Sequence, residues 1–182
     1  LTAPVADWPT KRRWVAEAYE KLEKAGYTIT SAYTAVKNPK TTKFIYRDRL
    51  WSGADMVGLG VSSFGHLGGI HYQNITNIDH YCDSVEAKKA PVRRALMTQE
   101  EERFIRELIL QWKLGRVDKK YFQKKFGISV TERFSLIITK WKENGDLIEE
   151  GDYLVLIRDA LLRVDSLLHQ FFLPHHQDAR YV

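Results

Sequence analysis

Apolar residues recur at helical spacing at the start of the chain. Trp14, Ala18, Leu22 and Ala25 share one face, and Glu23 and Lys24 lie off it. Asp7-Trp8-Pro9 opens this helix, because a missing N–H costs little at an early position, and Gly26 stops it. Tyr27 to Val36 is rich in aromatic and β-branched residues and predicts one strand, broken by Asn38-Pro39. A short helix is expected from Phe44 to Trp51. Asp55 to Val61, apolar and punctuated by glycine, predicts a buried strand running into a flexible loop, Ser62 to Gly69. Ile70 to Asn74 is a short extended piece. Asn77 caps a helix reaching about Lys88, and Pro91 ends this unit.

The pattern then becomes mostly helical. Thr98-Gln99-Glu100-Glu101 is a capping box, followed by Phe104, Ile105, Leu108, Ile109 and Trp112 on one face, with a stop at Leu114-Gly115. Asp118 caps a shorter helix through Phe126. Ser129-Val130-Thr131-Glu132 is a second capping box, opening a helix with Phe134, Ile137, Ile138 and Trp141 inward. Leu147 to Leu156 predicts a hairpin, Asp159 to Phe172 a last helix, and Pro174 to Val182 a loose polar tail. The fold class is α+β: an α/β segment over residues 1–90, then a winged-helix-like module over 91–182.

Composition narrows the chemistry. The 182 residues carry 28 Lys+Arg against 23 Asp+Glu, a net charge of +5, which permits an acidic ligand or nucleic acid and demands neither. Cys82 is the single cysteine, expected to be a buried thiol in mid-helix, so this chain alone holds no disulfide, Cys-based zinc site or cysteine-ligated cluster. A lone cysteine fits a reducing, cytoplasmic setting. No apolar run approaches membrane-spanning length, so no membrane partner is expected. Leu1-Thr2-Ala3-Pro4 has neither a basic stretch nor an initiator Met and is expected to be a cut inside a longer protein.

Few residues point to catalysis. Gly58-Leu59-Gly60-Val61-Ser62-Ser63 begins like a dinucleotide fingerprint, but Ser63 stands at the third glycine and no helix follows at once. A turn where backbone approaches something closely is the better account. Its N–H groups, with Ser62, Ser63 and His66, offer polar contacts to a ligand. His66 and His71 flank the loop with no carboxylate at ligand spacing, and His175-His176 falls in the tail as a solvated pair. Glu100, Glu101 and Glu102 favour the helix dipole and need no catalytic role. Arg93-Arg94 is either a solvated pair or a clamp for carboxylates.

The order Gly53-x-Asp55-x-x-Gly58-x-Gly60-Val61-Ser62-Ser63-Phe64, then Tyr72-Gln73-Asn74, Tyr81, Arg93 and Leu96-Met97-Thr98 resembles the oxygen-independent coproporphyrinogen III oxidase family of radical S-adenosylmethionine (SAM) enzymes. Phe122-x-x-x-Phe126-Gly127, Gly145-x-Leu147 and Leu161-Leu162-Arg163-x-Asp165 resemble its C-terminal module. The resemblance covers about residues 10–173. It implies a full-length oxidoreductase of porphyrin and haem biosynthesis. A partial β/α barrel with Cys-x-x-x-Cys-x-x-Cys would hold a [4Fe-4S] cluster that cleaves SAM, leading to oxidative decarboxylation of propionates. This chain would be the last β/α element of that barrel plus the C-terminal domain, inactive alone, with no catalytic or metal residue of its own. Ser62, Ser63 and Phe64 are the implied cofactor contacts, with Phe64 where the family has an aliphatic residue. Tyr72, Gln73, Asn74 and Arg93 are the implied substrate contacts. The implied partners are a coproporphyrinogen-like tetrapyrrole and the N-terminal barrel of the same protein.

Two rival readings share the pattern. A nucleic-acid-binding winged helix would have only Arg133, Lys140 and Lys142 on its candidate helix for base or phosphate contacts, so nucleic acid is not the expected partner. A tetrapyrrole carrier would use the scaffold without radical chemistry.

Overall fold

The computed structural model describes residues 5–177. In chain order the elements are α1 (Trp8–Lys24), β1 (Thr28–Ser31), β2 (Thr34–Val36), α2 (Ile45–Trp51), β3 (Phe64–Leu67), β4 (Ile70–Asn74), α3 (Ile78–Glu86) and β5 (Val92–Met97). They continue with α4 (Glu100–Trp112), β6 (Arg116–Asp118), α5 (Lys119–Phe126), α6 (Val130–Arg133), α7 (Ser135–Glu143), β7 (Leu147–Glu150) and β8 (Tyr153–Leu156). The last are α8 (Arg158–Leu162), α9 (Val164–Leu168), a 3-10 turn (His169–Phe171) and α10 (Pro174–Gln177). The sheets are β1–β2, β3–β4–β5 and β6–β8–β7, and every named pairing is antiparallel. This is an α+β chain.

Two compact units result. One is Leu1–Phe44 with Leu108–Val182, the other Ile45–Glu107, so α4 runs from one into the other. The expected division near residue 90 falls inside the second unit. The expected cut end, Leu1 to Pro4, and the tail beyond 177 lie outside the described residues; Pro174–Gln177, expected to be loose, is helical.

In the first unit Asp7 caps α1, its carboxylate accepting the Thr10 N–H at 2.9 Å. The inward face differs from the expected one: Trp14 is 54% exposed and Tyr19 is buried. The reason is tertiary, since the Tyr19 hydroxyl donates to the Ala32 carbonyl. Residues 27–36 form a hairpin rather than one strand. Ser31 Oγ accepts the Tyr33 N–H at 3.1 Å and meets Thr34 Oγ1 at 2.7 Å, closing a local turn that competes with an extended ladder.

The core of this unit is aromatic. Trp112 lies 5.3 Å from Trp141 and 6.0 Å from Phe171 between ring centroids, and Trp141 meets Phe171 edge-on at 5.2 Å. Phe122, Val117, Leu154, Ala160 and Val164 are buried with them. The cluster reshapes the helices expected around it. The helix after Ser129, whose hydroxyl caps Glu132, breaks at Phe134 (φ −120°), whose ring packs edge-on against Phe171 at 4.9 Å. The expected last helix breaks at Arg163, which pairs with Asp146, and becomes α8, α9 and a 3-10 turn. β6, too short to show in the residue pattern, pairs with β8 through Val117↔Leu154. Truncating either Trp141 or Phe171 to Ala should cost about 3–5 kcal/mol, read by denaturant unfolding. A loss below about 1 kcal/mol removes that residue from the core.

The second unit departs further from expectation. Residues 55–61 are not a buried strand: Val57 and Leu59 are exposed, and only Met56 pairs, exchanging two backbone bonds with His66. Residues 62–69 are not a flexible loop, because Phe64–Leu67 is a strand. Gly68 and Gly69, at φ 57° and 80°, form the two-residue turn that joins it to β4. Asn77 caps α3 as expected, but Cys82 on that helix is exposed rather than buried. The capping box of α4 is shifted by one residue. Glu102 accepts the Gln99 N–H at 2.7 Å, while the Thr98 hydroxyl donates to the Gly69 carbonyl.

Candidate functional site

Residues 57–63 make little regular ladder, so their backbone polar groups need other partners. Three side chains from β4 and α3 supply four of them. Asn74, 3% exposed at the end of β4, donates from Nδ2 to the carbonyls of Gly58 (3.0 Å) and Gly60 (2.9 Å). The Tyr72 hydroxyl accepts the Gly58 N–H at 3.1 Å, and the Tyr81 hydroxyl of α3 accepts the Gly60 N–H at 3.0 Å. Glycine is required at two points. A Cβ at Gly58 would lie 2.2 Å from the Phe64 carbonyl oxygen, and one at Gly65 would lie 2.1 Å from the Tyr72 ring.

The serines are committed locally. Ser62 sits at φ 60°, its N–H donating to Ile75 and its carbonyl accepting from Gln73 Nε2. Ser63 Oγ donates to the Leu59 carbonyl at 2.6 Å. Phe64 differs: it is 44% exposed and its ring stacks on His71 at 5.8 Å. Of the residues implied as substrate contacts, Tyr72 and Asn74 face the glycine loop. Gln73 is buried, its Oε1 accepting from Arg94 Nε at 2.9 Å. Arg93 is exposed and donates to Thr76 Oγ1 at 3.2 Å. The four therefore do not converge on one point.

A different group converges on the other face of the sheet. The register pairs His66 with His71, Phe64 with Gln73 and Gln73 with Arg94, so these side chains share a face. The two imidazole centroids are 6.1 Å apart, and both Nδ1 atoms are buried without a hydrogen-bond partner. Burial lowers both histidine pKa values, with the Arg106 guanidinium of α4 adding to the shift in each case; His71 also depresses His66, and Arg94 depresses His71. Burial lowers Arg106 itself, opposed by Glu107. Composition and motif reading missed Arg106. The signal for the pair was present, since a Gly-Gly two-residue turn places the residues on either side of it opposite one another.

No family model matches the chain, and no curated protein matches it by sequence. Its fold is similar to a solved structure, coproporphyrinogen III oxidase (HemN) from Escherichia coli, a radical SAM enzyme. The TM-score is 0.70 at 15% identity, over 91% of this chain and 42% of that one. At that identity the likeness is one of fold, and the chain spans less than half the length of that protein. Among the described residues no helix is long and apolar enough to cross a membrane.

Two outcomes follow from the geometry. Asn74→Ala leaves two loop carbonyls without their donor and should cost about 1–3 kcal/mol; hydrogen exchange should show faster exchange at residues 58–62, and unchanged protection there removes the clamp. Because the folded histidines bind protons less readily than unfolded ones, stability from His66 and His71 is complete above about pH 6.5. It declines as pH falls below that value toward their folded pKa values. Melting curves from pH 8 to 5 should show this loss, and the double variant His66→Gln/His71→Gln should flatten it. An equal slope in the variant assigns the loss to other groups.

Proposed function

We propose that this chain is the C-terminal portion of a radical SAM oxidoreductase of the coproporphyrinogen III oxidase type, acting in porphyrin and haem biosynthesis on tetrapyrrole propionates. The observation that carries the reading is the fold likeness to HemN over 91% of this chain, joined to the motif order from Gly53 to Thr98. Residues 1–90 would complete the partial barrel. The order α4, β6, α5, α6–α7, β7, β8, with a three-stranded antiparallel sheet, supports a winged-helix-like module after it.

Residues of this chain do not fit the iron–sulfur cluster. Cys82 is its single cysteine and is exposed on α3, whereas a cluster of this kind needs several thiolates. The ligands would come from an N-terminal barrel of the same protein. Toward SAM, the Ser63 hydroxyl and the Ser62 N–H are already engaged, so the exposed ring of Phe64 is the contact this reading assigns. Arg93, exposed and donating to the Thr76 hydroxyl, is the residue assigned to a substrate carboxylate. The nucleic-acid alternative is weakened by Lys142, whose ammonium is paired with Glu149. Lys119 and Lys142 together hold that carboxylate down to about 2.

The decisive experiment uses the complete gene product, reconstituted anaerobically with iron and sulfide. Expected are a cluster spectrum, 5′-deoxyadenosine from SAM and carbon dioxide from coproporphyrinogen III. A competent cluster that forms no 5′-deoxyadenosine overturns the enzyme reading, and tetrapyrrole binding without turnover favours a carrier. In the same protein Arg93→Ala should raise the substrate dissociation constant about tenfold with little change in melting temperature. A melting shift at constant affinity sinks the clamp role.

A further inference from the structure

We propose that the face of the β3–β4–β5 sheet carrying His66 and His71 binds a compact oxyanion, a carboxylate or a phosphate, held by the two imidazoles and the Arg106 guanidinium. This rests on the geometry of the second unit alone and stands or falls independently of the radical SAM reading.

Three observations support it. First, hairpin register fixes the pair: His66 and His71 are direct cross-strand partners, with Phe64 stacked against His71 as an apolar wall. Second, the pair is unsatisfied. Both Nδ1 atoms are buried without a partner, His66 is 4% exposed, and no hydrogen bond to either imidazole occurs among the described residues. Buried polar side chains in folded proteins are rarely left without a partner, and a protein that keeps two side by side needs a ligand or water to satisfy them. Third, the surrounding charge selects the ligand. Arg106 acts on both imidazoles and Arg94 on His71, while Asp55 and Glu107 act on His66 alone. Asp55 also accepts the Gly68 N–H at 3.0 Å. The two charges that act on His71, those of Arg106 and Arg94, are both positive. A metal cation would be repelled there. An oxyanion would meet guanidinium and imidazolium N–H groups, which are donors only and form the stronger, charge-assisted bonds.

The proton balance follows. Without an anion, burial and the arginines keep both histidines neutral near pH 7. A bound oxyanion favours the imidazolium form, so binding takes up protons and tightens as pH falls.

The test uses the full 182-residue chain in chloride buffer at fixed ionic strength, with the imidazole resonances of His66 and His71 followed by NMR from pH 8 to 5. Sodium phosphate is added in one arm and sodium propionate in the other. Expected is a rise of about one unit in both midpoints with at least one anion, and affinity that strengthens on acidification. Response to one anion names the group bound; response to both defines a general oxyanion site. Arg106→Gln should weaken binding about tenfold, while Lys24→Gln, on α1 of the first unit, should not. His71→Asn supplies a second variant if Arg106→Gln fails to fold, and it too should weaken binding. Midpoints that move no more than with matched chloride overturn the site and leave the pair to ordered water. So does undiminished affinity in folded Arg106→Gln.

Discussion

The second unit depends on one constraint: a glycine-rich backbone without a regular ladder must have its polar groups satisfied. Asn74 answers two carbonyls at once, Tyr72 and Tyr81 answer two N–H groups, and Met56 and His66 exchange a further pair of backbone bonds beside them. Because these partners sit on β4, α3 and β3, the clamp also fixes those elements relative to one another. The close approach of the Gly58 region to Phe64, and of Gly65 to the Tyr72 ring, leaves no room for a Cβ at either position. His66 inherits its place from this arrangement, since its backbone holds Met56 while its ring faces His71.

The two units are stabilised differently. The first buries Trp112, Trp141, Phe122 and Phe171 nearly completely, so area removed from water is its main driving term. In the second, the buried positions of β3 and β4 include His66, Gln73 and Asn74, and β5 is exposed along its whole length. Hydrogen bonds contribute less net free energy than apolar burial of comparable extent, because folding exchanges them for bonds to water. The second unit thus buries a larger polar share along β3 and β4, whereas the first buries a contiguous aromatic cluster.

Local chemistry was readable where it acts over one turn. Asp7, Asn77, Asp118 and Ser129 cap the helices the residue pattern assigns to them, and Gly127 ends α5 at φ 68°. The hairpin over Leu147 to Leu156 was equally legible, and β7 and β8 pair on either side of Gly151-Asp152. The shifted capping box of α4 marks the limit. Thr98 is as good a cap as Ser129 by type, but the Gly69 carbonyl, remote in sequence, takes its hydroxyl.

By itself, then, the sequence determined the α+β class and most helix starts, because caps, turns and periodicity are properties of neighbours along the chain. Tertiary structure decided which residues meet. It turned Tyr19 inward through a distant carbonyl, split the helix at Phe134 so that its ring reaches Phe171, and set Tyr72 and Asn74 on the loop backbone while Arg93 stayed outside. It also brought Arg106 of α4 to the His66–His71 pair, a convergence that no spacing announces because strand register and helix docking are fixed only when the chain closes on itself.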